Sequence, residues 1–215
     1  MFHIHMNSVS TSFNGIRRAI NSSEYILAKE PLRKAVLEFN PQAPCLYGLP
    51  KVHKDGTPMR PVVSFVSAPS YKLAKYLDKW FKHLVDFRPP FSIKNSIELS
   101  QLLIQTSPPP GSILISFEVV WLYPHVPLQP TRVRLEKYLR EANVTPSLIS
   151  DFKSLLEKCL SPNICLYRDS IYTLPPDIGV PIGSPLGSLV SESFMAVFEE
   201  ELFQSGHSLL EHVFL

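Results

Sequence analysis

The sequence has little cysteine and no long apolar run, and each shortage excludes a class of protein. The three cysteines, Cys45, Cys159 and Cys165, are an odd number without a CxxC pair, so neither a zinc ribbon nor a disulfide framework is expected. The longest apolar stretches, residues 111–120 and 180–190, are broken by Ser, Pro or charge well short of the roughly 18 residues that a membrane-spanning helix needs. We therefore expect no membrane partner.

The amino terminus also lacks the features of a secretory signal. Residues 1–13, MFHIHMNSVSTSF, have neither a basic start nor a continuous apolar stretch. The chain has 215 residues, of which 45% are hydrophobic, and this is enough to build a buried core. These features exclude a disordered tail and predict an intracellular protein, nuclear or cytoplasmic.

Charge is nearly balanced overall but unevenly distributed. The chain has 21 Lys and Arg against 19 Asp and Glu. Residues 17–82 contain 12 basic and five acidic residues, so this stretch has a net charge of +7 and the remainder is net acidic. Tyr47, Tyr71 and Trp80 are interleaved among these cations. The combination predicts weak, salt-sensitive and sequence-tolerant binding of RNA or DNA.

Proline divides the chain into short periodic segments that are mainly helical. There are 21 prolines, and the apolar spacing in residues 69–87 predicts an amphipathic helix. Asn95 followed by Glu98 is typical of a capping box for a helix that runs to about residue 105. Thr145 and a following proline open a helix over residues 146–160. Ser188 is predicted to cap a last helix that ends near residue 206.

Strands are fewer. They are predicted at residues 60–65 and 112–120, and as a hairpin over residues 164–174 that turns at Arg168-Asp169-Ser170. Helices and strands mixed in this order favour an α+β fold that is rich in helix and has a small antiparallel sheet.

Three stretches together resemble a known family. They are CLYGLPKVHKDGTPMRPVVS (45–64), ILISFEVVWLYPHVP (113–127) and GVPIGSPLGSLVSESFMAVFEE (179–200). Their residues, order and spacing resemble the motifs of the reverse transcriptase domain of Penelope-like retroelements, which are relatives of telomerase. The likeness extends from about residue 32 to residue 200, and it also includes SAPSYKLAKYLDKW (67–80).

The resemblance implies a partial right-hand polymerase fold with fingers and an incomplete palm. It implies an N-terminal helical extension at residues 1–40, a fingers-like region at 41–110 and the incomplete palm at 111–215. The partners implied are an RNA template, a DNA primer and deoxynucleoside triphosphates, and Mg²⁺ is the cofactor of the family.

The first stretch predicts a basic hairpin. Lys51, Lys54 and Arg60 flank a turn at Asp55-Gly56, so two short strands would project cations toward one another. The resemblance implies that Lys51 and Arg60 hold the triphosphate, for which Arg suits bidentate contact, and that Lys54 contacts nucleic acid. A solvated surface hairpin without a ligand is the alternative.

The second stretch contains a carboxylate at the end of an apolar run. Glu118 would be costly to bury there without a cation, and a metal ion is one such partner. The resemblance places Glu118 where the family has its first catalytic Asp, and Tyr123 beneath the sugar of the incoming nucleotide. Glu is longer than Asp by about 1.5 Å, whereas Mg²⁺ requires ligand distances of about 2.0 to 2.1 Å. The alternative is an exposed Glu at a strand end.

The third stretch predicts a tight loop that leads into a helix. The resemblance implies that Gly183, Ser184 and Pro185 position the template, while a helix-entry turn without a ligand is the alternative. The paired aspartates of the family's third motif are expected after this helix, yet no two Asp residues are adjacent in the 215 residues.

We therefore expect a catalytically inactive fragment of a retrotransposon reverse transcriptase that does not bind Mg²⁺ productively. The alternatives are a non-catalytic RNA- or DNA-binding remnant and a translated relic without function.

Overall fold

A computed structural model describes residues 2–4, 7–89, 91–107, 110–113, 115–161, 164–173 and 177–204. These residues form an α+β structure that is rich in helix. Its described elements, in chain order, are β1 (Phe2–Ile4), α1 (Asn7–Ser22), α2 (Glu30–Val36), β2 (Cys45–Pro50), β3 (Met59–Ser64), α3 (Tyr71–Leu84), α4 (Ser96–Gln105), α5 (Leu122–His125), α6 (Leu128–Glu141), α7 (Pro146–Leu160), β4 (Ile164–Tyr167), β5 (Ser170–Thr173) and α8 (Gly187–Gln204). None of the described helices is both long and apolar enough to span a membrane.

The strands form one sheet in the order β1-β5-β4-β2-β3. Two antiparallel hairpins, β2–β3 and β4–β5, lie side by side and are joined by the parallel pair of β2 and β4. The backbone N–H of Leu166 donates to the carbonyl of Pro44 (2.7 Å) at this junction. The sheet is therefore mixed, and the prediction of an antiparallel sheet is wrong. A tight turn makes its two strands antiparallel, but no turn connects β2 to β4, so packing sets their relative direction.

The predicted hairpin at residues 164–173 is confirmed, while Leu174 lies outside the described residues. Tyr167 pairs with Ser170, so the connection has two residues, and Ser170 belongs to β5. Arg168 and Asp169 have φ of +46° and +62°. Positive φ at both central positions matches the right-handed twist of the flanking strands.

Three predicted helices are present, and at the start of one of them a hydrogen bond differs from the prediction. The helices predicted at 69–87 and 146–160 correspond to α3 and α7. At α4, the Asn95 side chain accepts hydrogen bonds from the N–H groups of Ile97 (3.1 Å) and Glu98 (3.0 Å), as the capping prediction requires. The Glu98 carboxylate, however, accepts from the N–H of Lys94 rather than from that of Asn95.

The fourth predicted helix begins two residues earlier than a cap at Ser188 implies. α8 starts at Gly187, whose N–H donates to the carbonyl of Ser184 (3.0 Å). Ser188 therefore lies in the first helical turn and is not the cap, because the backbone of the preceding turn supplies the hydrogen bond at the helix entrance.

The main core lies among the helices. Phe81 of α3 and Phe152 of α7 are fully buried and their rings lie 5.6 Å apart, and Leu135 and Leu139 of α6 join the same cluster. A smaller cluster around Val63, Phe65, Ala68 and Cys165 packs against the sheet.

The described residues of the predicted strand 112–120, which are 112, 113 and 115–120, do not form a strand, contrary to the prediction. Every described residue between 110 and 121 is exposed, and Phe117 is 90% exposed. The alternation of apolar residues is present in the sequence, but a strand also needs a partner for its backbone. The described strands pair with one another, and none of them pairs with this segment.

Candidate nucleic-acid interface

The basic hairpin, residues 45–64, consists of β2, β3 and the loop 51–58. The last strand pair is Pro50 with Met59, and the N–H of Lys51 then donates to the carbonyl of Pro58 (2.9 Å). The loop is closed by two more backbone bonds, from Lys54 to Lys51 and from Thr57 to Lys54, each 3.0 Å. Gly56 has φ of +71°. The predicted hairpin is therefore present, and its turn is held by its own backbone.

The cations of the basic hairpin are available to solvent. Lys54 and Arg60 are exposed, and Lys51 is half-buried. Among the described residues, no carboxylate lies within 4 Å of the charged groups of Lys51 and Arg60. Both side chains are therefore free to contact an anion.

One face of the basic hairpin combines a cation with an aromatic ring. Leu49 pairs with Arg60 and Tyr47 pairs with Val62, so these four side chains lie on the same face of the two strands. Tyr47 is 44% exposed. Leu49 and Val62 were not predicted from the sequence, although the hairpin register identifies them once the turn is placed.

The other two aromatic residues predicted to help binding are packed elsewhere. Trp80 stacks on Phe152 with ring centroids 5.4 Å apart, and Tyr71 packs against the smaller core cluster. Both rings are half-buried. Tyr47 is therefore the exposed member of the predicted set.

Several of the cations on α3 and near it are already paired. Lys72 lies 3.3 Å from Glu38, and Lys82 lies 2.9 Å from Asp78 on the preceding turn. Local carboxylates thus neutralise part of the +7 charge of residues 17–82, while Lys51 and Arg60 of the basic hairpin have no carboxylate partner among the described residues.

Glu118 lies in the irregular segment before α5. Its side chain is 77% exposed, and its carboxylate lies 3.5 Å from the ammonium of Lys54. No group of three or more His, Cys, Asp or Glu side chains that could hold a metal ion occurs in the described part of the chain. An exposed carboxylate with a lysine as its neighbour does not fit an octahedral Mg²⁺ site.

Tyr123 lies in α5 and contacts the entrance of α8. Its carbonyl accepts a hydrogen bond from the N–H of Val180 (2.8 Å). A Cβ placed on Gly187 would lie 3.0 Å from Cε1 of the Tyr123 ring, so the absence of a side chain at Gly187 lets the ring pack there. The ring is half-buried and belongs to the edge of the main core.

The glycine of the GSPL turn packs against the basic hairpin. The N–H of Val63 donates to the carbonyl of Ile182 (2.8 Å), which brings the turn against the outer edge of β3. Gly183 has φ of +108°, and a Cβ on it would overlap the carbonyl oxygen of Val63. Only glycine fits this position.

Ser184 and Pro185 complete the turn. Both are half-buried, and the N–H of Ser184 donates to the carbonyl of Pro181 (3.0 Å). These residues therefore form a helix-entry turn that packs against β3.

The three stretches singled out in the sequence therefore meet in space. Lys54 and Glu118 join the first to the second, Val63 and Ile182 join the first to the third, and Tyr123 and Val180 join the second to the third. The contacts form a continuous region around the basic hairpin.

A scan of the chain against protein-family models finds no match, and a search of curated proteins finds no relative. The function is therefore inferred from the residues and the geometry described above.

Proposed function

We propose that this chain is the fingers and part of the palm of a reverse transcriptase of the Penelope-like type, and that it binds nucleic acid at the basic hairpin without nucleotidyl transfer. The observation that carries the proposal is the meeting of the three stretches around that hairpin. Segments that are far apart in the sequence and resemble motifs of one family are expected to meet if they form one site.

Binding is supported by the open cations of the basic hairpin. Lys51 and Arg60 have no carboxylate partner among the described residues, and Arg is suited to bidentate phosphate contact. Tyr47 shares a face with Arg60, and its exposed ring can stack on a base while the guanidinium contacts the backbone. The ligand proposed is a single strand of RNA or DNA, as the template would be.

The proposed lack of nucleotidyl transfer follows from the small number of carboxylates that could hold metal ions at this site. Polymerases hold two Mg²⁺ ions between the attacking and the leaving oxygens, and several carboxylates are needed for this. Glu118 is paired with Lys54, and no adjacent aspartates occur in the 215 residues. Lys51 and Arg60 could still bind the phosphates of a deoxynucleoside triphosphate, but binding alone does not activate a primer hydroxyl.

The experiment is a fluorescence anisotropy titration with a labelled single-stranded RNA at several salt concentrations. The triple variant Lys51→Ala, Lys54→Ala and Arg60→Ala is compared with a control that loses the same charge elsewhere, Lys29→Ala, Lys137→Ala and Lys158→Ala. We expect the hairpin variant to bind more weakly, with a slope of log K against log salt that is smaller by about 2, since each contact to a single strand contributes about 0.7. The control should retain the wild-type slope.

Equal affinity of the hairpin variant and the wild type would contradict the proposal. So would the absence of binding at low salt by a folded sample. In both cases the basic hairpin would be solvated surface. The chain would then be interpreted as a relic without function and not as a nucleic-acid-binding protein.

A further inference from the structure

The two hairpins of the sheet turn at the same end of it. β2 and β4 are parallel neighbours, with Cys45 beside Leu166. Each strand then continues into a turn of its own, which is the loop 51–58 after β2 and Arg168-Asp169 after β4. Because parallel strands end at the same edge of a sheet, the basic hairpin has the turn of the second hairpin next to it.

Arg168 places a further cation at this end of the sheet. It is exposed, and its guanidinium carbon lies 5.4 Å from the centroid of the Tyr167 ring. Among the described residues, no carboxylate lies within 4 Å of the Arg168 guanidinium. A guanidinium that stacks on a ring keeps its N–H donors at the edge for a phosphate. Like Lys51 and Arg60, Arg168 is therefore open to an anion.

The register of the sheet places Arg168 on one flank of Tyr47. Two residues beyond the pair of Cys45 and Leu166, β2 has Tyr47 and the other strand reaches Arg168. Neighbouring strands lie about 4.8 Å apart, so the end of β4 brings Arg168 beside Tyr47. Tyr167 belongs to the opposite side of the sheet, because successive side chains alternate. An exposed contact between a guanidinium and a ring is weak, so Arg168 can turn from Tyr167 toward a ligand on Tyr47.

Arg60 lies on the other flank of Tyr47. It pairs with Leu49, two residues beyond Tyr47 on β2, and it shares a face with Tyr47. With about 4.8 Å between strands and about 3.3 Å per residue, the backbones of Arg60 and Arg168 are about 12 Å apart. An exposed aromatic residue between two arginines suits a strand whose base stacks on the ring while its phosphates reach both cations.

We propose that Arg168 is a phosphate contact of the nucleic-acid site, and that a single strand of RNA or DNA crosses the sheet from Arg60 over Tyr47 to Arg168. This inference rests on the proposed function and adds to it a contact outside the basic hairpin. The strand must be single, because a paired base does not offer its face to the ring.

The variant Arg168→Asn tests the new contact by anisotropy titration with a labelled single-stranded RNA. Asparagine tolerates the positive φ of this turn position, +46°, so the variant should fold. We expect affinity to fall about fivefold at low salt, with a slope of log K against log salt that is smaller by about 0.7. Arg17→Gln, which removes an exposed arginine of α1, is the matched control and should keep the wild-type affinity and slope.

The variant Tyr47→Leu tests the path across β2. It removes a stacking surface and no charge, so affinity for the single strand should fall about fivefold or more while the salt slope stays unchanged. Tyr25→Leu, which removes another exposed tyrosine (53% exposed), should bind as the wild type does.

The triple variant of the basic hairpin separates the two possible failures. If Lys51→Ala, Lys54→Ala and Arg60→Ala together leave binding unchanged, the proposed function itself is contradicted. If the triple variant binds more weakly but Arg168→Asn keeps the wild-type affinity and slope, or loses no more than Arg17→Gln, the turn after β4 is solvated surface and this inference alone is overturned. Wild-type affinity of Tyr47→Leu would likewise overturn the path across β2.

Discussion

The ammonium of Lys54 and the carboxylate of Glu118 lie 3.5 Å apart and join the basic hairpin to the segment that precedes α5. The carboxylate for which the resemblance predicts a metal-ligand role thus forms an ion pair with a lysine. Both side chains are largely exposed, 45% for Lys54 and 77% for Glu118. A pair of this kind contributes at most about 1 kcal/mol to stability, so its main effect is on the local potential at the hairpin.

Removing the charge of Glu118 should strengthen nucleic-acid binding. In Glu118→Gln the ammonium of Lys54 loses its counter-ion and becomes available to a phosphate. Since an exposed pair is worth about 1 kcal/mol or less, affinity should rise by less than about fivefold at low salt. Anisotropy titration with a single-stranded RNA measures the change. Glu157→Gln, an exposed residue of α7, alters the net charge equally and should have little effect. Weaker binding by Glu118→Gln would show that the carboxylate itself helps to hold the ligand.

The chain should not extend a primer on an RNA template with Mg²⁺ or Mn²⁺. The proposed function leads to this expectation because Glu118 is paired with Lys54 and no two Asp residues are adjacent in the sequence. Glu118→Asp should not restore activity, because it alters one ligand while Lys54 remains beside it. Primer extension with labelled deoxynucleotides is the measurement. Template-dependent incorporation above the level of a Glu118→Ala control would refute this prediction.

Gly183→Ala should destabilise the fold. Its φ of +108° is strained for any other residue, and the added Cβ would overlap the carbonyl of Val63. We expect a loss of about 2 kcal/mol or more in the free energy of unfolding, measured by denaturant titration. Gly15→Ala is the matched control, because nothing lies within 4 Å of its Cβ position in α1. That variant should be stabilised by up to about 1 kcal/mol through helix propensity. Equal behaviour of the two would mean that the GSPL turn does not pack on β3.

The contribution of Glu136 to stability should depend on pH. This residue of α6 forms an ion pair with Lys153 of α7. Hydrogen bonds from Lys153 and then Arg140 hold the pKa of Glu136 below its usual value of 4.5. Since the pKa is lowered in the folded state, the stabilisation is complete above the unfolded value and is lost as pH falls through the folded value. Glu136→Gln should therefore lower Tm at pH 6 to 7, and its difference from the wild type should shrink as pH falls below about 4.

Thermal unfolding at several pH values provides the measurement for Glu136. Glu157→Gln, which removes an exposed carboxylate of α7, is the matched control. A constant difference between Glu136→Gln and the wild type from pH 3 to pH 7 would show that the carboxylate is not stabilised by its charge.

The sequence by itself determined the features that depend on neighbouring residues. The apolar spacing of α3 and α7 and the Asn95 cap are local and present in the structure, as is a hairpin turn at the predicted Arg168-Asp169-Ser170, although Ser170 belongs to β5. The helix α6 was not predicted, because its buried residues Leu128, Thr131, Leu135 and Leu139 form a narrow stripe in a charged segment. That stripe became a core face only because other helices pack against it.

Tertiary structure decided what depends on distant partners. The direction of β4 beside β2 follows from how two hairpins pack, and the exposed state of residues 115–119 follows from the lack of a described strand beside them. Gly183 was read from the sequence as a position for a ligand, but the Val63 carbonyl lies against it. The sequence could specify the residue types of the candidate interface, whereas only the folded chain could bring Lys54 to Glu118, because no local rule links side chains 64 residues apart.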